Sequence, residues 1–240
     1  MYLAGKSALL TGGTNGIGRE LAFQLKAKGA QVITTGRNAE RVAAMRAESF
    51  EVITADLSNA AGVDALIAAV RGRSIDILIN NAGQLVDHDF RKGTPDADAS
   101  DDAIYANLNA PIRLSVGLID TLKAQSEAAI VNVTSGLAIA PAARQPVYCA
   151  TKSGLRFYTL ALREQLKGTG IRVIEALPPV VDTQMNDGTK MSKMPADECA
   201  RQIVTALEKG WGEANIGLTK ALRMAESVSP ALARKVTLRF

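Results

Sequence analysis

Thr11-Gly12-Gly13-Thr14-Asn15-Gly16-Ile17-Gly18 is the stretch whose reading decides the fold. Ahead of it, Ser7–Thr11 is a short apolar run that reads as a buried strand. Behind it, Gly16–Lys28 puts Ile17, Leu21 and Leu25 on one helical face. Small residues between a strand and a helix let the backbone turn sharply and approach a ligand closely. The helix start adds unpaired N–H groups and the positive end of the helix dipole, which together suit a pyrophosphate. Glycines alone would equally serve a tight turn. The strand before and the helix after supply the context that phosphate binding requires, so Gly12, Thr14, Asn15, Gly16, Ile17 and Gly18 are read as cofactor-binding. The spacing is G-x-x-x-G-x-G.

The same alternation continues outward. Gln31–Thr35, Glu51–Ala55, Ile75–Asn80, Ala129–Thr134 and Ile171–Leu177 read as strands, and Ala39–Ala47, Ala61–Val70, Asp102–Lys123, Pro146–Leu166 and Ala196–Lys209 as helices. The strands are unbroken apolar runs rather than alternating ones, as expected of a parallel sheet covered on both faces. The predicted fold is therefore α/β: a doubly wound parallel sheet of about seven strands with helices on both faces, in one domain spanning residues 1–240. A polar loop, Gln84–Ala99, precedes the long fourth helix. Pro178–Pro195 is rich in Pro, Gly, Asp, Asn and Lys and reads as a lid. The tail, about 218–240, has helical spacing and a break at Pro230. It is read as a docking helix or as an oligomer contact.

Composition narrows the class. Hydrophobic residues are 47% and charged residues 22% of the 240, enough for a large core. The formal excess of four positive charges is small and the cations are distributed along the chain, so neither nucleic acid nor a membrane is an expected partner. Two cysteines, Cys149 and Cys199, and one histidine, His88, give neither a disulfide framework nor a metal site. His88, between Asp87 and Asp89, reads as a solvated loop side chain or a contact at the substrate rim. Met1–Leu10 lacks the features of a secretion signal, and no stretch approaches the roughly 20 apolar residues of a membrane span. A reduced, cytoplasmic protein is expected.

Tyr148-Cys149-Ala150-Thr151-Lys152 sets Tyr148 and Lys152 four apart, on one face of the predicted helix. A free phenol titrates near ~10, and a neighbouring ammonium would lower that value towards useful acid–base range. Such pairs also occur in ordinary amphipathic helices. Ser135, at the carboxyl end of a predicted strand where open α/β sheets bind ligands, raises the catalytic reading.

The glycine spacing, Asp56-Leu57 after the third strand, Asn80-Asn81-Ala82-Gly83 after the fourth, and Asn107, Ser135, Tyr148 and Lys152 stand in the order of the short-chain dehydrogenase/reductase family. The chain resembles that family from Gly5 to about Thr183. The resemblance implies a nicotinamide-dependent oxidoreductase that interconverts a carbonyl and a secondary alcohol. It implies adenine contacts from Asp56 and Leu57, further cofactor contacts from Asn81, Ala82 and Gly83, and nicotinamide contacts from Pro178, Val181 and Thr183. Tyr148 would be the general acid and base, Ser135 the holder of the substrate oxygen, and Lys152 a contact to the cofactor ribose. Asn107 would hold a relay water. Asp56 also fits a helix cap, Asn107 a buried amide bracing a kink, and Asn80–Gly83 a brace of the sheet. Pro179 stands where the family has Gly, which excludes a positive φ there. The Pro-Pro-x-Val-Asp-Thr form with a basic tail looks like a bacterial branch named after lipoteichoic-acid D-alanylation operons, a name that gives no substrate.

NADP(H) is expected over NAD(H). No acid ends the second strand to accept from a ribose 2′-hydroxyl, while Arg37 there offers a planar fork of donors to a 2′-phosphate, with Arg41 one turn further on. A homodimer or homotetramer is expected through the helices Asp102–Lys123 and Pro146–Leu166, with Leu155, Tyr158 and Leu162 as outward residues. The competing function is a non-catalytic dinucleotide-binding sensor or partner. The intact Asn107, Ser135, Tyr148 and Lys152 favour the enzyme, since a pure binder has little need of Tyr148.

Overall fold

Most strands of this chain end where small or polar side chains take over, and several helices start on a residue whose side chain satisfies a first-turn N–H group. Asn38 accepts from the Arg41 amide at 2.9 Å, Asn59 from the Gly62 amide at 2.9 Å, and Asp96 from the Ala99 amide at 3.0 Å. The computed structural model describes residues 1–239. Its strands are β1 (Ser7–Leu10), β2 (Gln31–Gly36), β3 (Glu51–Thr54), β4 (Ile77–Asn80), β5 (Ala128–Val133), β6 (Ile171–Leu177) and β7 (Glu213–Asn215). They form one parallel sheet in the order β3-β2-β1-β4-β5-β6-β7. The order reverses between β1 and β4, which opens a crevice at their carboxyl ends.

Successive strand residues face opposite sides, and the core divides accordingly. Ala8 and Leu10 join Ile77 and Ile79 beneath α1 (Gly16–Ala27), α2 (Ala39–Ala47) and α7 (Ala196–Lys209). Leu9 and Leu78 join Ile130 beneath α3 (Ala60–Ala69) and α5 (Ala110–Lys123). Helix α6 (Pro146–Gln165) lies on the second face, with Leu162 against that cluster.

The expected doubly wound sheet is present, with element ends displaced by a residue or two. Two features differ from expectation. The long helix begins earlier, as α4 (Ala97–Ile104), and passes through a π-helical turn at Tyr105–Asn109 before α5. The seventh strand, expected in number but not located, is β7, which pairs with β6 through Glu175–Leu177. The tail, read with helical spacing and a break at Pro230, forms two helices that part there, α8 (Thr219–Val228) and α9 (Pro230–Thr237). Among the described residues no helix is long and apolar enough to cross a membrane.

Candidate active site

The crevice between β1 and β4 has a volume of about 330 Å³ and is floored by the glycine loop. Gly12 has φ +69°, and a Cβ there would lie 2.9 Å from the Ala82 Cα. A Cβ on Gly18 would collide with the Gly12 carbonyl oxygen. Two loops can therefore meet only because these side chains are absent. Thr11 fastens them: its Oγ1 accepts from the amides of Asn81 and Ala82, both at 3.0 Å. The Asn81 side chain donates to the carbonyls of Thr11 and Gly12, so it braces the loop as well as lining the crevice.

Helix α1 starts differently from α2, α3 and α4. Asn15 makes no side-chain cap hydrogen bond, and the first turn carries no acid. Its N–H groups and dipole stay available at the crevice floor, the donor set that a pyrophosphate requires. The residues thus fit a dinucleotide: an uncapped helix start, a loop kept free of side chains, and basic side chains at one end.

At that end Arg37 follows β2, and its Nη1 lies 3.4 Å from Asp56 Oδ1. Both are well exposed. The reading of β2 found no acid near Arg37, yet the parallel pairing of β2 with β3 carries the Asp56 carboxylate to it. Asp56 also accepts from the Ser58 amide at 3.1 Å, while Asn59 caps α3, so Asp56 orders a turn and is not the helix cap. Arg41 Nη2 donates to Gln184 Oε1 at 2.6 Å, and Asn15 Nδ2 reaches the same oxygen at 3.4 Å. Gln184 belongs to a 3-10 turn, Gln184–Asn186, in the 178–195 loop. The base of that loop is fixed by a bridge between Val181 and Met194. Pro179 causes no strained turn there, since among described non-glycine residues only Ser49 has a positive φ.

At the other end stand Ser135, Tyr148 and Lys152. Ser135 follows β5, its Oγ accepting from the Leu137 amide at 3.1 Å. Tyr148 and Lys152 share one face of α6, with Lys152 Nζ 5.6 Å from the centre of the Tyr148 ring. Lys152 is buried and donates to the Val133 carbonyl at 2.9 Å. Burial pushes the Tyr148 phenol up to about 12, partly opposed by the Ser135 hydroxyl beside it. Burial pulls the Lys152 ammonium down to about 8. The expected lowering of the phenol by Lys152 is not among the causes of its shift; desolvation sets the direction, opposed only by Ser135.

Asn107 does not line the crevice. It is fully buried in the π-helical turn behind Gly83. Its Oδ1 accepts from the Gln84 amide at 2.7 Å, and its Nδ2 donates to the Gln84 carbonyl at 2.8 Å and Thr151 Oγ1 at 3.2 Å. This is the bracing arrangement: an amide that grips the backbone beside Gly83 and ties it to the Tyr148–Lys152 turn. All the other expected site residues line the crevice. Gln84, Met185 and Asn186 line it too: the last two belong to the stretch read as a lid, whereas Gln84, directly after Gly83, was not singled out. His88 is buried rather than solvated, with Ser100 Oγ 3.1 Å from its Nε2 and Phe90 packed edge-on. Among the described residues no group of three His, Cys, Asp or Glu side chains could hold a metal ion.

The family described as short chain dehydrogenase matches residues 6–193. A curated relative, the uncharacterised oxidoreductase DltE of Bacillus subtilis, is 37% identical over 235 residues, covering 94% of this chain and 93% of its own. A short chain dehydrogenase from Burkholderia cenocepacia, solved with NADP, superposes with a TM-score of 0.88 at 24% identity over 99% of both chains. A Sphingobium yanoikuyae short-chain dehydrogenase solved with NADPH gives 0.83 at 25% identity, over 95% of this chain and 94% of its own. A Brucella melitensis 3-ketoacyl-(acyl-carrier-protein) reductase solved with NADH gives 0.80 at 25% identity, over 88% and 96%.

Proposed function

The chain belongs to the short-chain dehydrogenase family, and from that premise we propose that it moves a hydride between NADP(H) and a carbonyl or secondary alcohol, with Tyr148 as general acid and base. The observation that carries this reading is the half-buried Tyr148, set beside Ser135 and Lys152 in the crevice that the glycine loop floors.

The dinucleotide, when bound, supplies or accepts the hydride. The α1 N-terminus and the loop Gly12–Gly18 would hold its pyrophosphate. Asp56, Leu57 and Asn81–Gly83 would border its adenosine half, and Pro178, Val181 and Thr183 its nicotinamide half. Lys152 would meet a ribose hydroxyl. Ser135 would hold the substrate oxygen against Tyr148. Tyr148, whose phenol titrates well above neutral pH, can give that oxygen its proton during reduction and recover it during oxidation. Asn107 acts through Gln84 and Thr151, positioning the wall behind Gly83. The 178–195 loop serves as a lid, since Gln184 bridges it to Arg41 and Asn15 across the adenosine end.

Arg37 and Arg41 support NADP(H): both line the adenosine end, and a 2′-phosphate there would meet two guanidinium groups. The relative solved with NADPH supports the same choice, whereas the one solved with NADH binds the unphosphorylated form. We also place self-association on α5 and α6, and the domain limits at residues 1–240. Leu155 is buried within one subunit, which corrects its expected outward role; Val116 and Phe157, at 67% and 71%, are the most exposed large apolar residues of these helices, with Leu160 at 37%.

A panel of ketones, aldehydes and secondary alcohols, followed at the nicotinamide absorbance band with each dinucleotide, tests the reading. Turnover of at least one class, faster with the phosphorylated cofactor, is the expected result. Tight dinucleotide binding with no turnover of any class would contradict it and favour a sensor.

A further inference from the structure

The hairpin of α8 and α9 has no task in that reaction. Its inner side is packed: Thr219 and Leu222 sit against Gly136, and Ala233 and Thr237 are buried. Its outer side is unusual. Six of the fifteen exposed large apolar side chains among the described residues lie here: Leu218, Met224, Val228, Leu232, Val236 and Leu238. Val228 is 86% exposed. Residues 218–239 also hold five Lys or Arg against one Glu, so the whole formal excess of four positive charges lies in the hairpin and the rest of the chain is neutral. Composition averaged over the chain hides this concentration of positive charge at one end. Glu226 is already taken by Arg223 at 2.5 Å. Arg234, Lys235 and Arg239 have no acidic partner within ion-pair distance among the described residues.

Short helices that expose apolar and cationic side chains together suit a bilayer interface, with the apolar groups at the acyl boundary and the cations among anionic headgroups. We propose that the α8–α9 hairpin docks on an anionic phospholipid surface and makes this a peripheral membrane protein. A second copy is the poorer occupant, because a self-pairing of this face sets its three unpartnered cations against their equivalents.

The proposal is independent of the oxidoreductase reading and its test uses no turnover. The probes are vesicles of phosphatidylcholine alone and vesicles with about one third phosphatidylglycerol, sedimented with the whole protein. Binding to the second only, weakening as salt rises, is expected. Each cation contributes on the order of fivefold, so the Arg234→Gln, Lys235→Gln, Arg239→Gln triple should weaken binding about 100-fold. Leu232→Ser with Val236→Ser should weaken it at unchanged charge. A control triple at the exposed Arg71, Lys123 and Lys209, also to Gln, should bind as wild type. Unchanged melting temperatures and dinucleotide binding certify the folds. The proposal is overturned if wild type ignores both vesicles, sediments equally with both, or loses as much through the control triple. A dimer by light scattering that the hairpin variants convert to monomer would instead give this face to a second copy.

Discussion

The Lys152 ammonium is buried with one hydrogen bond, to the Val133 carbonyl, and among the described residues no carboxylate pairs with it. Desolvation therefore sets its titration at about 8. Below that pH the charge is present beside Tyr148; above it the charge is lost. Because kcat/KM reports the free enzyme, its value for carbonyl reduction should fall as pH rises through about 8, along a one-proton limb. A profile flat well into the alkaline range would show that the Lys152 charge does not matter to the chemistry. Arg37 poses the opposite case, a well exposed side chain whose value lies in what it could meet. Its pairing with Asp56 at 3.4 Å is long and solvent-screened, and little is lost by exchanging it for a phosphate. A charge-assisted hydrogen bond contributes roughly 1.5–3 kcal/mol, about one to two powers of ten in affinity. Arg37→Ala should weaken NADPH by that factor and NADH far less, as calorimetric titration can read. Equal losses for both would remove Arg37 from the discrimination.

Helix α6 is held to the sheet by a buried ion pair. Glu175, fully buried on β6, meets Arg156 Nη1 at 2.5 Å and accepts from Thr134 Oγ1 at 2.8 Å. Arg156 lies one turn beyond Lys152, and Thr134 directly precedes Ser135, so one pair braces both elements that carry the site. Removing one partner of a buried pair costs about 3–5 kcal/mol, whereas replacing both by apolar residues is close to neutral. Arg156→Met alone should lower stability by about that amount in a denaturant melt, and Arg156→Met with Glu175→Leu should recover most of it. A single variant as stable as wild type would deny the brace. Elements differ in how far their sequences disclose them. β1, β4 and β5 are apolar on both faces and stand out as runs, which is why the doubly wound sheet could be read directly. β7 has three residues, two of them polar, and exists only because β6 offers it a ladder. The π-helical turn at Tyr105–Asn109 is invisible because Tyr-Ala-Asn-Leu-Asn is ordinary helical composition; only packing turns Asn107 inward. His88 looked solvated between two aspartates because burial of a loop depends on partners such as Ser100, twelve residues away.

The glycine loop, the Asn81–Gly83 turn and the Tyr148–Lys152 pair were legible because each is local in sequence, while Gln84, Gln184 and the Arg37–Asp56 contact depend on the order of the strands. At the scale of the assembly, exposed Val116 and Phe157 leave α5 and α6 with apolar surface that a partner subunit would cover. Phe157→Asp with Val116→Asp should shift a dimer or tetramer to smaller species by light scattering at micromolar concentration; a wild type already monomeric there, or an unchanged mass in the variant, counts against this interface. The reaction itself is tested most directly by Tyr148→Phe, measured as single-turnover reduction of whichever carbonyl proves a good substrate, alongside dinucleotide affinity. General acid catalysis contributes on the order of 10² to 10⁴ in rate. The account predicts a loss of that size with cofactor affinity nearly unchanged; a Phe variant that reduces the substrate at close to the wild-type rate would contradict it.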